Sequence, residues 1–321
     1  EMKDDFDIQK DIASAIETTL KATLLTEEQV QLEKKQYHNS EAYQYYLKGR
    51  YHWNKRTEEN LKKAIGFFNK AVDSDPAYAS AYAGLASTYV ILPEHSSLMQ
   101  NEYYHKSLSY AEKASSLDPS LAEPYAVAGM IKYAKEYDWE AAENEFKHAI
   151  RLNPNYPTAH HWYSKLLRYQ GRLEESLSEC KLALELDPLS PVLNTNLGWT
   201  LYAMKEYELA EDQFQRTIAL NPDFPLPYYG MAALKLTFDL VDEAIAEYKK
   251  GERYDMGDSV NLSVNGYIYA KSGRESEALE ILDKLLIYSE KGYSASLGIA
   301  LIYVGLGEAD KAFEWLEKAY N

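Results

Sequence analysis

Apolar positions along this chain fall into a helical rhythm that is broken and restarted at regular intervals. Between Pro191 and Ala203, Leu193, Leu197 and Leu201 recur every fourth residue, which places them in one stripe on a helix. Pro191 suits the first turn, where a missing N–H leaves no bond unmade. Lys205-Glu206 then interrupts the pattern as a turn. A second helix is predicted from Tyr207 to Leu220, with Leu209, Ala210, Gln213, Phe214, Thr217 and Ile218 along one side. Asn221-Pro222 ends it, because a residue before proline avoids the α region. The unit so defined is helix–turn–helix.

The unit repeats. Ala142, Ser176, Ala210, Ala244, Ala278 and Ala312 stand 34 residues apart in succession, and Pro154, Pro188 and Pro222 keep the same interval. The text around them recurs as well, from His148-Ala149-Ile150-Arg151-Leu152-Asn153-Pro154 to Leu182-Ala183-Leu184-Glu185-Leu186-Asp187-Pro188. Earlier copies carry Ala64, Phe68, Ala71 and Pro76, then Ser107, Ala111, Ala114 and Pro119. Eight units begin near residues 42, 79, 122, 157, 191, 225, 259 and 293, so that the array covers 42–321. One helical pair cannot bury its apolar face alone, and neighbours must stack into a continuous core. Gly198 and Ala210 are read as letting the two helices of a unit approach. A large side chain there would cost about 1–3 kcal/mol by overpacking. Phe214 fills the gap between neighbouring units.

The first 30 residues form a helical stripe of Ile8, Ile12, Ala15, Ile16 and Leu20 that serves as an N-terminal cap or belongs to a preceding domain. Residues 31–41 are read as a linker. An insertion, Leu92-Pro93-Glu94-His95-Ser96-Ser97, separates the helices of the second unit as a surface loop or local hinge.

The pattern resembles the tetratricopeptide repeat (TPR) family. Tyr82, Leu85, Ala86, Tyr89, Ala111, Ala114 and Pro119 match its signature in the second unit, and Leu197, Gly198, Ala210, Phe214 and Pro222 match it in the fifth. The eighth matches with Ala300, Tyr303, Gly307, Ala312, Leu316 and Ala319. The resemblance implies an all-α fold, a right-handed superhelical α-solenoid of about eight repeats. It also implies a non-catalytic scaffold that binds a protein or peptide partner. A narrower likeness rests on Gly49-Arg50-Tyr51-His52-Trp53-Asn54-Lys55-Arg56-Thr57, Ala159-His160-His161-Trp162-Tyr163 and Leu186-Asp187-Pro188-Leu189-Ser190-Pro191. These phrases look like the TPR tails of bacterial regulators that carry an adenylate cyclase, kinase or winged-helix domain. The start at Phe6-Asp7-Ile8 looks like the end of a TolB-like segment in such proteins. On that likeness the chain is a regulatory tail cut from a longer signalling protein.

In TPR arrays the first helices line a concave groove. Carried over by position, the groove residues are Tyr46, Arg50, His161, Trp162, Lys165, Asn196, Trp199, Tyr229 and Tyr267. Aromatic anchors with a few hydrogen-bonding groups are the usual make-up of a hot spot, although the same aromatics also suit packing between repeats. The clamp by which some TPR domains hold a chaperone's C-terminal carboxylate is not matched. Its positions are His161, Lys165, Asn196, Leu226 and Gly230 here, and only Lys165 and Asn196 fit.

Charge narrows the partners. Acidic residues outnumber basic ones by 50 to 34, for a formal charge of -16. Such a field repels phosphate backbones and anionic membranes, and a neutral or basic partner suits it better. Nucleic-acid and membrane binding by this segment are therefore not expected. A cytoplasmic location is the expectation, since Cys180 is the single cysteine and no intramolecular disulfide is possible.

No catalytic motif is legible: no Gly-rich phosphate loop, Gly-x-Ser-x-Gly or His-Glu-x-x-His. His160 and His161 diverge by about 100° on a helix, so they are not a metal pair. His160 is read as a packing residue and His161 as facing the groove. Glu140, Glu143 and Glu145, and Glu174, Glu175 and Glu179, are read as solvated faces. Cys180 holds the position filled elsewhere by Phe146 and Phe214, which makes it core. No cofactor and no metal are expected.

Overall fold

The computed structural model describes residues 40–94, 100–253, 259–290 and 295–320. Among these residues the chain is all-α, with no strand. The readings placed on residues 1–30, on most of the linker and on His95 to Ser97 lie outside the described residues.

Helices follow one another in pairs. The first unit is α1 (Ser40–Asn54) with α2 (Glu58–Ser74), the second α3 (Ala79–Ile91) with α4 (Gln100–Leu117). Then come α5 (Glu123–Ile131) with α6 (Trp139–Leu152), and α7 (Pro157–Tyr169) with α8 (Leu173–Leu186). The second half holds α9 (Pro191–Ala203) with α10 (Tyr207–Leu220), and α11 (Leu226–Thr237) with α12 (Val241–Glu252). The last two pairs are α13 (Ser259–Lys271) with α14 (Glu275–Glu290), and α15 (Ser296–Gly305) with α16 (Ala309–Tyr320). Each first helix from α1 to α9 also touches the first helix of the following unit, so these helices form one inner face. The result is an α-solenoid of stacked helical pairs, as the sequence pattern implies.

Two local devices recur with the sequence period. One is the turn between the helices of a unit. Tyr137, Gly171, Lys205, Asp239, Gly273 and Gly307 all have positive φ, between 54° and 76°. From Gly171 onward each is followed by an N–H that bonds back to the first helix, as Arg172 N does to Leu167 O at 2.9 Å, and after Tyr137 the Asp138 N–H bonds to Lys132 O just past α5. In the turn at Lys205-Glu206, Lys205 is the left-handed residue. The other device ties units together. At four of the five closing prolines, a polar side chain six residues further on hydrogen-bonds to that proline's carbonyl. Tyr82 Oη donates to Pro76 O at 3.3 Å, Asn194 Nδ2 to Pro188 O at 2.9 Å, and Tyr228 Oη to Pro222 O at 3.0 Å. His160 Nε2 makes the same contact with Pro154 O at 2.9 Å.

The core runs along the array between the two helical layers. Phe68, Phe146 and Phe214 are fully buried. A Cβ built on Gly198 or on Gly230 would fall within the van der Waals envelope of the Phe214 ring, and Gly49 and Gly84 stand likewise to Phe68. The space at Gly198 is therefore filled by the Phe214 ring. Leu209 also departs from the sequence reading, being 55% exposed. It sits one residue before Ala210, so it points about 100° away from the stripe of Ala210, Phe214 and Thr217 that is buried.

A left-handed residue with a Cβ costs about 1–2 kcal/mol relative to glycine. Nothing lies within 4 Å of a Cβ built on Gly171, so its substitution isolates that backbone term. Gly171→Ala is expected to lower unfolding free energy in urea by about 1 kcal/mol, and Tyr137→Gly to raise it by a similar amount. Equal stability for both variants and the parent would contradict this account of the turn.

Candidate functional site

At the fourth and fifth units the packing changes character. Cys180 replaces the buried ring found at Phe146 and Phe214, and the vacated room is occupied by polar groups. Asn196 Nδ2 donates to Ser164 Oγ at 2.7 Å and lies 3.1 Å from Cys180 Sγ. Ser176 Oγ donates to Ser164 O at 2.8 Å and meets Thr200 Oγ1 at 3.3 Å. Ser164, Ser176 and Thr200 have no exposed surface. The extended apolar cluster that begins at Trp53 ends at Leu167, and a separate one begins at Ala210. A polar seam lies between them. Burial pushes the Cys180 thiol above its ordinary pKa, which fits an inert packing group better than a nucleophile.

Above this seam the inner face opens into a pocket of about 510 Å³. His161, Lys165 and Arg168 enter it from successive turns of one face of α7. Asn196, Trp199 and Tyr202 enter from α9, and Leu226 from the start of α11. Arg56, from the α1–α2 turn, and Ile91, at the end of α3, complete it. The array thus curves enough to bring the first unit to the same pocket as the sixth.

The electrostatics follow from the lining. Arg168 Nη1 donates to Asn196 Oδ1 at 2.9 Å, to Thr200 Oγ1 at 3.3 Å and to Asn196 O at 3.4 Å. All three acceptors are neutral, and burial lowers the guanidinium pKa from its usual value. Burial also pushes the His161 ring well below its ordinary pKa, and the charges of Lys165, Arg56 and Arg168 push it further. His161 is thereby biased toward its neutral form beside Lys165, Arg56 and Arg168. Arg56 itself stacks on Trp53, with its guanidinium carbon 3.5 Å from the ring centroid. Among the described residues, no carboxylate lines the pocket.

Of the groove residues expected from sequence, His161, Trp162, Lys165, Asn196 and Trp199 line this pocket. Trp162 is only 1% exposed and forms a wall; Asn196 spends its amide on the seam. Trp199 packs edge-on to Phe214 at 5.6 Å and to Tyr202 at 5.7 Å. Tyr46, Arg50, Tyr229 and Tyr267 are not part of it. Tyr46 packs on Phe68 and Tyr78, with ring centroids 5.8 Å and 5.4 Å away. Burial opposes the Arg50 charge, but Tyr46, Tyr156 and Glu123 around it more than offset that. Tyr229 packs on Tyr248 at 5.2 Å, and Tyr267 lies beside Gly305. Arg56, Arg168 and Tyr202 were missed. Arg168 was within reach of sequence reasoning, since 161, 165 and 168 share one helical face.

Two acids read as solvated serve as links. Glu143 accepts from Tyr163 Oη at 2.8 Å and from Arg172 Nη1 at 2.7 Å, tying the third unit to the fourth. Arg172 is the chief reason its carboxyl is held down to about 2. Glu179 Oε2 lies 2.6 Å from His160 Nδ1. With Pro154 O on Nε2, both nitrogens of His160 face acceptors. Among the described residues no three His, Cys, Asp or Glu side chains converge as metal ligands would.

The two histidines predict opposite pH effects. Burial opposes the His160 charge, but Glu179 and Pro154 outweigh it and raise the folded pKa. Its stabilising contribution is present below the unfolded pKa of about 6.5 and lost as pH rises through the folded value. His161 has a depressed folded pKa, so its neutral burial destabilises as pH falls below about 6.5. Urea unfolding of the parent minus His160→Asn should give a difference that shrinks from pH 6 to pH 8. The parent minus His161→Gln should give one that shrinks from pH 7 to pH 5. Flat differences in both would contradict these assignments.

Comparison with known proteins agrees with the repeat reading. Residues 133–191 and 264–321 match the tetratricopeptide repeat family model. The chain is 24% identical over 184 residues to anaphase-promoting complex subunit 3 of Schizosaccharomyces pombe, covering 57% of this chain and 26% of that protein. It is 25% identical over 157 residues to the transcriptional regulator HilA of Salmonella typhimurium, covering 49% and 28%. Among solved structures, it is similar to the APC/C hetero-tetramer Cut9-Hcn1, with a TM-score of 0.62 and 15% identity, covering 81% of this chain and 49% of that one. The chain spans about a quarter of the length of these curated relatives.

Proposed function

We propose that this TPR array is a non-catalytic interaction scaffold whose inner face holds a protein or peptide partner, with the α7–α9 pocket as the principal contact. The observation that carries this reading is the pocket itself. Its volume of about 510 Å³ lies within the range of ligand sites, and it combines apolar walls with a few converging polar groups. The TPR likeness supports a binding role, since such repeats generally bind proteins or peptides. The chemistry of the side chains supports the non-catalytic part. The thiol of Cys180 is buried, and His160 spends both ring nitrogens on structural acceptors.

A second reading, a regulatory tail of a larger signalling protein, draws support from the similarity to HilA. It uses the same pocket and differs in what the array would control. For location, no helix among the described residues is long and apolar enough to cross a membrane.

Selection of peptides against the chain from a random display library tests the main reading. Tyr202→Ala and Val192→Asp, both at the pocket wall, should weaken the selected peptides at least about tenfold, a loss of the size that hot-spot truncation gives. Helicity and Tm should stay close to the parent's. Leu189→Ala, exposed and outside the pocket, should change nothing. Selected peptides that ignore Tyr202 and Val192 would contradict the proposal.

A further inference from the structure

One edge of the solenoid, where each first helix turns into its second, carries a row of aromatic side chains that the inner-face pocket does not explain. Trp139, Leu173, Tyr207 and Val241 each open a second helix, 34 residues apart in succession. Around them the rings join across units. Tyr133 of the third unit meets Tyr169 of the fourth, with ring centroids 5.7 Å apart. In the fifth unit Tyr202 meets Tyr207 at 5.7 Å, and Tyr207 meets Phe238 of the sixth at 5.5 Å. Tyr169 and Tyr202 both reach the lining of the pocket, so the two halves of the row meet at its rim. The outer members are not spent on packing: Tyr137, Tyr169 and Phe238 are 76%, 62% and 57% exposed. Single exposed rings are ordinary, but a row over four consecutive units marks an interaction surface.

The spacing of the row selects its ligand. Successive first helices touch, so neighbouring units stand about 8–10 Å apart. A polyproline II strand has three residues per turn and a rise of about 3.1 Å, which gives a repeat of about 9 Å. One turn of such a strand therefore matches one unit of the array. Its conformation is largely set before binding, so little ordering entropy is lost, and aromatic-lined surfaces are what proline rings dock on. Charge sets the rest of the ligand. In the matching windows 136–141, 170–175, 204–209 and 238–243, ten acids stand against two bases. Glu175, Asp242 and Glu243 already meet cations, and the excess rests on the other seven. We propose that this edge binds a basic, proline-rich polypeptide segment in polyproline II form. Its proline rings lie on Tyr137, Tyr169, Tyr207 and Phe238, and its Lys or Arg side chains lie over the acids of the turns. This surface is separate from the pocket interior, and its occupation does not depend on what fills the pocket.

The test uses the full chain and a blocked peptide, acetyl-(Pro-Pro-Lys)4-amide, about 37 Å long as polyproline II and so able to span four units. One control, acetyl-(Gly-Gly-Lys)4-amide, keeps the charge; the other, acetyl-(Pro-Pro-Glu)4-amide, reverses it. Affinity is measured by titration calorimetry, and the place of binding by the tryptophan side-chain N–H signals in nuclear magnetic resonance. The basic proline peptide should bind with Kd at least about tenfold below both controls and should shift the Trp139 signal. Tyr137→Asn and Phe238→Ser, both outside the pocket lining, should each raise that Kd several-fold. Asparagine tolerates the left-handed turn and both sites are exposed, so Tm should stay close to the parent's. Together the two substitutions should bring the peptide to within about twofold of the glycine control. Val192→Asp, in the pocket, should leave its affinity unchanged. A glycine or acidic peptide that binds as well as the basic proline peptide overturns the proposal. So does affinity that survives the double substitution, or no binding by the basic proline peptide. Binding lost in Val192→Asp and kept in Phe238→Ser would put the peptide in the pocket, which sinks this inference and leaves the scaffold reading standing. Binding that needs Tyr137 and Phe238, beside selected peptides that ignore Tyr202 and Val192, would uphold this inference and contradict that reading of the pocket.

Discussion

Phe214 belongs to the second helix of its unit, yet the space its ring fills lies against two other helices. Gly198 on α9 and Gly230 on α11 leave room for it, one from its own unit and one from the next. Phe68 stands in the same way between Gly49 and Gly84. A single ring thus sets the distance within a unit and the distance to the following unit together. It needs missing side chains on both sides, and it supplies a large buried apolar surface in return. The rest of the repeat serves this contact. The left-handed turn returns the chain so that the second helix faces the first, and the bond to the proline carbonyl fixes where the next unit begins.

The pocket exists where that contact is given up. Cys180 is smaller than a phenyl ring, and the partner position that is glycine at Gly230 is Asn196 here. The asparagine side chain fills the gap and brings hydrogen-bonding needs that Ser164, Cys180 and Arg168 satisfy. A buried polar group forms a stable interface only when its bonds are made, and this seam makes them. The outcome is a rigid wall with a guanidinium set in it. Curvature then carries Arg56 from the first unit to the same cavity, and the pocket is completed by residues more than three units apart in the chain. Structure and proposed function meet at this one irregular interface.

Much of this was legible in the sequence. The 34-residue period located the helices and the phase of their buried faces. His161, Trp162, Lys165, Asn196 and Trp199 were singled out by their places on the first helices, and the structure sets them around one cavity. The left-handed turn residues share the same period, from Tyr137 to Gly307, and the polar residue six places after each proline is visible in the text of the repeats. What was not legible depends on the third dimension. Periodicity says nothing about superhelical curvature, so Arg56 could not be joined to residues over a hundred positions away. Net charge averages over the surface and does not show that three basic side chains share one lining. Exposure of Leu209 and the pairing of Glu143 and Glu179 turn on flanks of a helix a few tens of degrees from the buried stripe, where a pattern of letters does not resolve which neighbour is met. Tyr46 and Tyr229 were placed on the groove by family position; the structure packs them against Phe68 and Tyr248.

The repeat contact depends on a ring that fills space vacated by glycine on the adjoining unit. A double-mutant cycle on Gly230→Ala and Phe214→Ala, followed by urea unfolding, tests it most directly. If the claim holds, Gly230→Ala destabilises the parent by about 1–3 kcal/mol through overpacking. In the Phe214→Ala background, where the ring is gone, the same substitution should be neutral or mildly stabilising. The two changes then couple by well over the roughly 0.5 kcal/mol within which independent sites add. Additive effects would mean that Gly230 and Phe214 do not compete for the same space, and the repeat contact would have to be explained by something other than the ring.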